Sequence, residues 1–132
     1  MIRRAGRGSV LHQAVEHGGV LHIGGVVADD PSLGMYEQTR QALGKLAGIL
    51  EANGSDRRHL LSVLAFITDM RLKPEMNRAW AEFFEPEHLP VRATLGITAI
   101  EEGVLIELFS TAALRAFGVI ATTSAASGPG RS

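Results

Sequence analysis

The sequence LLSVLAFIT, residues 60–68, is a near-continuous apolar run of strand length in the middle of the chain. An apolar run that does not alternate with polar positions is typical of a strand buried on both faces. Residues 60–68 therefore predict a central strand, and the patterns on either side of it define the fold class.

Helical patterns lie on both sides of this run. Between Met35 and Asn53 apolar residues recur every three or four positions, and polar residues, Gln38 among them, occupy the rest of the helix surface. Gly54 follows, where a helix commonly ends in the left-handed conformation. After the run, Pro74 is placed to open a second helix at its first position, and Pro86 ends that helix. Two amphipathic helices are therefore expected.

Strand patterns occupy the two ends of the chain. Residues 10–27 form two extended segments that are broken by the turn sequence EHGG at 16–19, and two more strands are predicted at 90–98 and 103–109. The order is β-β-α-β-α-β-β, an α+β fold in which two helices pack most simply on one face of a mixed sheet. If the other face is apolar, a partner subunit is a natural way to cover it.

Length and composition are those of one globular domain. The chain has 132 residues, 45% of them hydrophobic, which is enough to bury a core. It lacks the roughly 18 consecutive apolar residues of a membrane span, and its start lacks the apolar segment of a secretory signal. We expect a cytoplasmic domain at residues 1–116, and a small, polar, disordered tail at 117–132.

Charge and residue types argue against several functions. The net charge of −1 gives no electrostatic footprint for nucleic acid. The absence of cysteine excludes disulfides, thiolate catalysis and cysteine-ligated metals. The five histidines lack metal-ligand spacing, and no serine lies in a G-x-S-x-G motif. Neither a metal site nor a nucleophilic triad is predicted.

Two isolated charges distinguish the last two predicted strands. Arg92 is the only charged residue in 90–98, and Glu107 is the only one in 103–109. One interpretation is a surface ion pair across the sheet, which would contribute little. The other is a ligand site in which Arg92 binds a carboxylate bidentately and Glu107 orients or deprotonates a water. The residues alone leave both interpretations open.

Glycines interrupt the second extended segment. Gly24 and Gly25 lie inside a predicted strand, where glycine often marks a bulge or the close approach of a backbone or ligand. They match no phosphate-binding loop. His22 shares a strand face with Gly24, and is either a hydrogen-bonded histidine of the core or rim, or a polar group of a pocket.

A series of short motifs resembles the RidA family, also called the YjgF or L-PSP family, from residue 10 to residue 113. The matching stretches are QAV at 13–15, GG at 18–19 and 24–25, EQTRQAL at 37–43, LEANGS at 50–55, TDM at 68–70, MN at 76–77, FF at 83–84, PVRAT at 90–94 and IE at 106–107. The resemblance implies a chorismate mutase-like α+β fold and a homotrimer with three clefts between subunits.

The resemblance also implies an activity. Characterised relatives hydrolyse reactive enamines and imines, formed from amino acids by pyridoxal-phosphate enzymes, to 2-keto acids and ammonia. By resemblance, Arg92 is the family arginine that binds the substrate carboxylate, and Glu107 is the glutamate that acts on the attacking water. Asn77, Gly25 and Thr94 match further substrate-binding positions. No cofactor is implied, and the expected partners are a small carboxylate and further copies of the chain.

Two positions depart from the family pattern. Leu11 stands where well-known members have a tyrosine, and Gly24 stands where they have a serine, so two hydroxyl groups are missing. We interpret His22 as a polar group that would replace them. Two other functions stay open. Leu11 and Gly24 favour a sensor that binds a small carboxylate without turnover, whereas the near-neutral charge argues against an RNA-cleaving or translation-inhibiting protein.

Overall fold

Six strands and two helices make up the fold in a computed structural model that describes residues 1–116. The strands are β1 (Arg3–Arg7), β2 (His12–His17), β3 (Val20–Val26), β4 (Leu60–Ile67), β5 (Val91–Gly96) and β6 (Ile106–Ala113), and the helices are α1 (Met35–Ala52) and α2 (Lys73–Phe83). The predicted α+β class is confirmed. The predicted tail at 117–132 lies outside the described residues.

The strands form one mixed sheet in the order β1-β2-β3-β6-β4-β5. Only β4 and β5 run parallel, because α2 carries the chain back between them, and every other neighbouring pair is antiparallel. The last two strands in the sequence, β5 and β6, are therefore not neighbours, since β4 lies between them. This separation decides where their lone charges can lie.

Strand β1 was not predicted from the sequence. It is an edge strand that carries three arginines, is mostly exposed and pairs with β2 through its backbone. Arg3 forms an ion pair with Glu16 at 3.3 Å. Because the strand buries almost no apolar side chain, its sequence has none of the alternation that reveals a half-buried strand.

The first helix packs against the sheet as its pattern predicts, with Leu43, Leu46 and Leu50 fully buried. Gln38 is also fully buried, although the sequence placed it on the polar side of the helix. Its side chain donates to the carbonyl oxygens of Leu33 (2.8 Å) and Gly103 (2.9 Å) and accepts from the N–H of Leu105 (2.9 Å). Gln38 thereby holds the segment that leads into β6.

Within residues 1–116 of one chain, the central strand β4 is buried on one face and exposed on the other. The prediction that it is buried on both faces is therefore wrong for the single chain. Val63, Ala65 and Ile67 are buried under the helices, but Leu64 on the opposite face is 44% exposed. Phe109 of β6 is 42% exposed on the same side. The strand is apolar on both sides, and within residues 1–116 nothing covers one of its faces. We call this side of the sheet the open face.

Candidate functional site

The Arg92 side chain lies on the helix-covered face of the edge strand β5. Its backbone is in register with Val63, whose side chain is buried under the helices. The guanidinium carbon of Arg92 lies 4.8 Å from the ring centroid of Trp80, a cation–π arrangement. Burial lowers the pKa of Arg92 from its ordinary value, and no other group within residues 1–116 shifts it. The cation is thus partly desolvated with no carboxylate beside it.

A cavity of about 470 Å³ opens next to this guanidinium. It is lined by Asn77, Trp80, Ala81, Phe84, Pro86, Leu89, Pro90 and Arg92. We call it the arginine cavity. Thr94 lies two residues after Arg92 on the same face of β5, and its hydroxyl oxygen is buried with no hydrogen-bond partner within residues 1–116. The structure therefore places Arg92 and Asn77 together in the cavity, with Thr94 next to it on the strand.

Glu107 lies on the open face. Its neighbours Ile106 and Leu108 are buried under the helices, so the alternation of the strand turns Glu107 to the other side. A Cβ atom added to Gly25 would lie 2.8 Å from Cδ of Glu107, closer than real Cβ contacts allow. The carboxylate occupies the space that the missing side chain of Gly25 leaves.

A bulge in β3 brings the two glycines to this position. Ile23 pairs with Ser110 and Val26 with Leu108, so two residues of β3 stand opposite one residue of β6. A Cβ atom on Gly24 would meet the backbone oxygen of Gln13 at 3.7 Å and its side-chain nitrogen at 3.9 Å, which are ordinary contacts.

Gln13 is therefore the polar side chain next to Gly24, where the family pattern has a serine hydroxyl. Gln13 was not predicted as a site residue. The resemblance includes it in the stretch QAV, but its proximity to Gly24 depends on the pairing of β2 with β3 and could not be read from the stretch itself.

The remaining predicted residues, His22 and Leu11, do not line the arginine cavity. His22 is exposed and pairs with Thr111 on the open face, where it lines a shallow hollow with Leu64 and Phe109. Leu11 is 62% exposed in the connection between β1 and β2. We call Glu107, Gly25, Gly24 and Gln13 the glutamate cluster.

Arg92 and Glu107 do not meet within one chain. Glu107 is in register with Phe66 of β4, whereas Arg92 is in register with Val63. The two residues are therefore two strands apart, three positions apart along the sheet and on opposite faces. Standard strand geometry places their Cα atoms about 14 Å from each other. The interpretation as a cross-strand ion pair is wrong, because β4 lies between β5 and β6.

The described residues contain neither a metal-binding cluster nor a membrane-spanning helix. Within residues 1–116 no three His, Asp or Glu side chains come close enough together to hold a metal ion. In the same part of the chain, neither helix combines the length and apolar character that crossing a bilayer requires.

Known proteins share both the sequence pattern and the fold. The family model described as Endoribonuclease L-PSP matches residues 8–114. A RutC family protein of Pyrococcus horikoshii is 33% identical over 102 residues, covering 73% of this chain and 80% of that protein. The 2-iminobutanoate/2-iminopropanoate deaminase of Mus musculus is 30% identical over 102 residues, covering 73% of this chain and 75% of the deaminase.

A solved structure agrees with the observed topology. The crystal structure of a YjgF family member from Neisseria meningitidis superposes with a TM-score of 0.83 at 27% identity, over 87% of this chain and 96% of that one. The matched regions include every element from β2 to β6 together with Arg92 and Glu107. The chain therefore belongs to the Endoribonuclease L-PSP family, which is also called the YjgF or RidA family.

Proposed function

We propose that the protein hydrolyses reactive 2-imino and 2-enamino acids to 2-keto acids and ammonia. The observation that carries the proposal is the partly desolvated Arg92, which faces a cavity and has no carboxylate beside it within residues 1–116. A planar guanidinium in this position suits the carboxylate of an amino-acid derivative, which it can bind through two parallel hydrogen bonds. The likeness to a mouse imine deaminase supports the same reaction.

The complete site is proposed to form between copies of the chain in a homotrimer. Within one chain, β4 separates Arg92 from Glu107. The open face carries exposed apolar side chains, including Leu64 and Phe109, that another copy would cover. A closed ring of copies repeats the same contact at each interface, so one arrangement would bring every arginine cavity to the glutamate cluster of its neighbour.

The chemistry needs orientation and proton transfer more than a strong nucleophile. Arg92 holds the substrate carboxylate and thereby fixes the adjacent C=N carbon in front of a water molecule. Glu107 of the neighbouring copy accepts a proton as the water oxygen bonds to that carbon, and the C=N double bond becomes a C–N single bond. Glu107 then returns the proton to the nitrogen. The proton of the new hydroxyl group then passes through Glu107 to the nitrogen as the C–N bond breaks, so that ammonia leaves and the C=O bond of the keto acid forms.

Binding of a small carboxylate without turnover is the second candidate function. Leu11 and Gly24 provide no hydroxyl group beside the glutamate cluster, so fewer donors are available to hold the attacking water. A protein of this kind would bind a keto acid through Arg92 and release no ammonia. Saturable keto-acid binding together with an imine hydrolysis rate equal to that of buffer would favour this function.

The test is ammonia release from freshly generated 2-iminopropanoate and 2-iminobutanoate. Free imines hydrolyse without help, so the measured quantity is the rate in excess of buffer. We expect an excess with the wild-type protein and none with Arg92→Ala. Arg40→Ala is the matched control, because Arg40 is exposed on α1, pairs with the nearby Glu37 and does not line the arginine cavity. Equal rates for wild type and Arg92→Ala would contradict the proposal.

A further inference from the structure

We infer that the arginine cavity selects 2-imino acids with large apolar side chains, branched aliphatic or aromatic, over those with one- or two-carbon side chains. The inference depends on the proposed function, which supplies the reaction, and it specifies which class of substrate is preferred. It is drawn from the size, lining and rigidity of the cavity beside Arg92.

The size of the cavity exceeds the needs of a small substrate. It measures about 470 Å³. Pockets of about 300–1,000 Å³ typically hold drug-sized ligands, whereas 2-iminopropanoate has only six non-hydrogen atoms. In one chain, a small imino acid bound to Arg92 would leave most of the cavity filled with water, next to a lining that is mainly apolar.

The lining of the cavity is mainly apolar. Arg92, Asn77 and the indole N–H of Trp80 are polar, and the other lining residues are Ala81, Phe84, Pro86, Leu89 and Pro90. A carboxylate bound to Arg92 lies beside the Trp80 ring, since the guanidinium stacks on that ring. The rest of the ligand then faces apolar surface, and its binding is favoured by burial of its own apolar side chain.

The apolar wall is held by packing and is not a gap between mobile side chains. Trp80 and Phe84 are buried, with ring centroids 4.8 Å apart, and Phe83 packs edge-on against Phe84 at 4.9 Å. Pro86 and Pro90 have restricted backbones at the rim. The apolar side chain of Leu89, 51% exposed, lies at the opening of this preformed space.

Ala81 is the residue that we expect to set the limit on substrate size. It is exposed on α2 and lines the cavity, so its short side chain leaves space that a longer one would fill. Ala81→Leu should therefore reduce the volume of the cavity without changing Arg92. The matched control is Ala52→Leu, because Ala52 is also exposed on a helix but lies at the end of α1, outside the lining of the cavity.

The first measurement compares kcat/KM for imines generated from leucine and from alanine. We expect the wild-type protein to favour the leucine-derived imine by about tenfold or more, the discrimination that a few methylene groups give in an apolar pocket. Ala81→Leu should lower this ratio by about tenfold, chiefly through loss of activity on the larger imine, and Ala52→Leu should leave it unchanged. A wild-type preference for the alanine-derived imine, or an unchanged ratio in Ala81→Leu, would overturn the inference.

A second measurement does not depend on turnover. Trp80 is the only tryptophan of the chain, so its fluorescence reports on ligands in the cavity. We expect 4-methyl-2-oxopentanoate to bind at least about tenfold more tightly than pyruvate, with the difference lost in Ala81→Leu. Equal affinities would overturn the size selection. If no imine is hydrolysed but the larger keto acid still binds more tightly, the selection stands and the proposed hydrolysis fails.

Discussion

The carboxylate of Glu107 occupies the space that a side chain on Gly25 would fill. A Cβ atom on Gly25 would lie 2.8 Å from Cδ and 3.3 Å from Cγ of Glu107. The glycine therefore sets the position of the glutamate, because any larger residue forces the carboxylate away from the strand. The adjacent Gly24 has no such restriction, since the nearest atom to its added Cβ would be 3.7 Å away.

Gly25→Ala should displace Glu107 and remove most of the activity. Loss of a positioned acid–base group lowers kcat by roughly 100-fold or more, and we expect an effect of this size in the excess rate of imine hydrolysis. Keto-acid binding measured by Trp80 fluorescence should change much less, because the change leaves Arg92, which binds the carboxylate, in place beside Trp80.

Gly24→Ala is the control for this prediction and should retain activity within a few-fold of wild type. Thermal unfolding adds a second check. If the clash is with Glu107, Glu107→Ala should restore the stability that Gly25→Ala loses, giving a clear coupling between the two changes. Strictly additive losses of stability would show that Gly25 does not act through Glu107.

Mixed assemblies would show whether the site is shared between copies. Arg92→Ala and Glu107→Gln should each be inactive alone. The two variants are mixed in equal amounts, unfolded and refolded together. An interface is then complete when the copy that contributes the arginine has an intact Arg92 and the copy that contributes the glutamate has an intact Glu107. Random assembly of a cyclic trimer makes this true for about a quarter of the interfaces. We expect about a quarter of the wild-type excess rate, and mixtures as inactive as their parents would contradict a site shared between copies.

Phe109→Lys should weaken association of the copies. The side chain is 42% exposed on the open face and lies near Leu64 and Phe66, so a lysine there would place a charge in a surface that we expect another copy to cover. Sedimentation velocity should show a shift toward monomer together with loss of activity. Ile2→Lys is the control, because Ile2 is similarly exposed at 49% but precedes β1. A trimer with unchanged stability in Phe109→Lys would show that this face is not the interface.

Gln38→Met should destabilise the fold while preserving side-chain length. The change removes the hydrogen bonds to Leu33 and Gly103 and from Leu105, and it leaves their backbone groups unpaired in a partly buried region. Unpaired buried groups cost about 1–3 kcal/mol each, and we expect a total loss of about 3 kcal/mol in urea unfolding. Gln41→Met, which removes a single exposed hydrogen bond from the backbone N–H of Asp30, should cost less than about 1 kcal/mol.

Local patterns were enough to predict several elements. The stripe through Leu43, Leu46 and Leu50 and the start of α2 near Pro74 depend on residues close together in the sequence, so periodicity and proline chemistry identify them. Strand β1 lacks such a pattern, because its stability comes from backbone pairing with β2. Gln38 was placed on the wrong side of α1 for a similar reason, since its hydrogen-bond partners Gly103 and Leu105 are distant in sequence.

That Arg92 and Glu107 are the isolated charges of two strands, and that the family pattern applies to them, follows from the residues alone. Their position on opposite faces of one sheet follows from the fold. A strand alternates its side chains with a period of two, but which face a residue takes and which strands are neighbours depend on register and on the order of the sheet. Because β4 lies between β5 and β6, the two charges cannot meet in one chain.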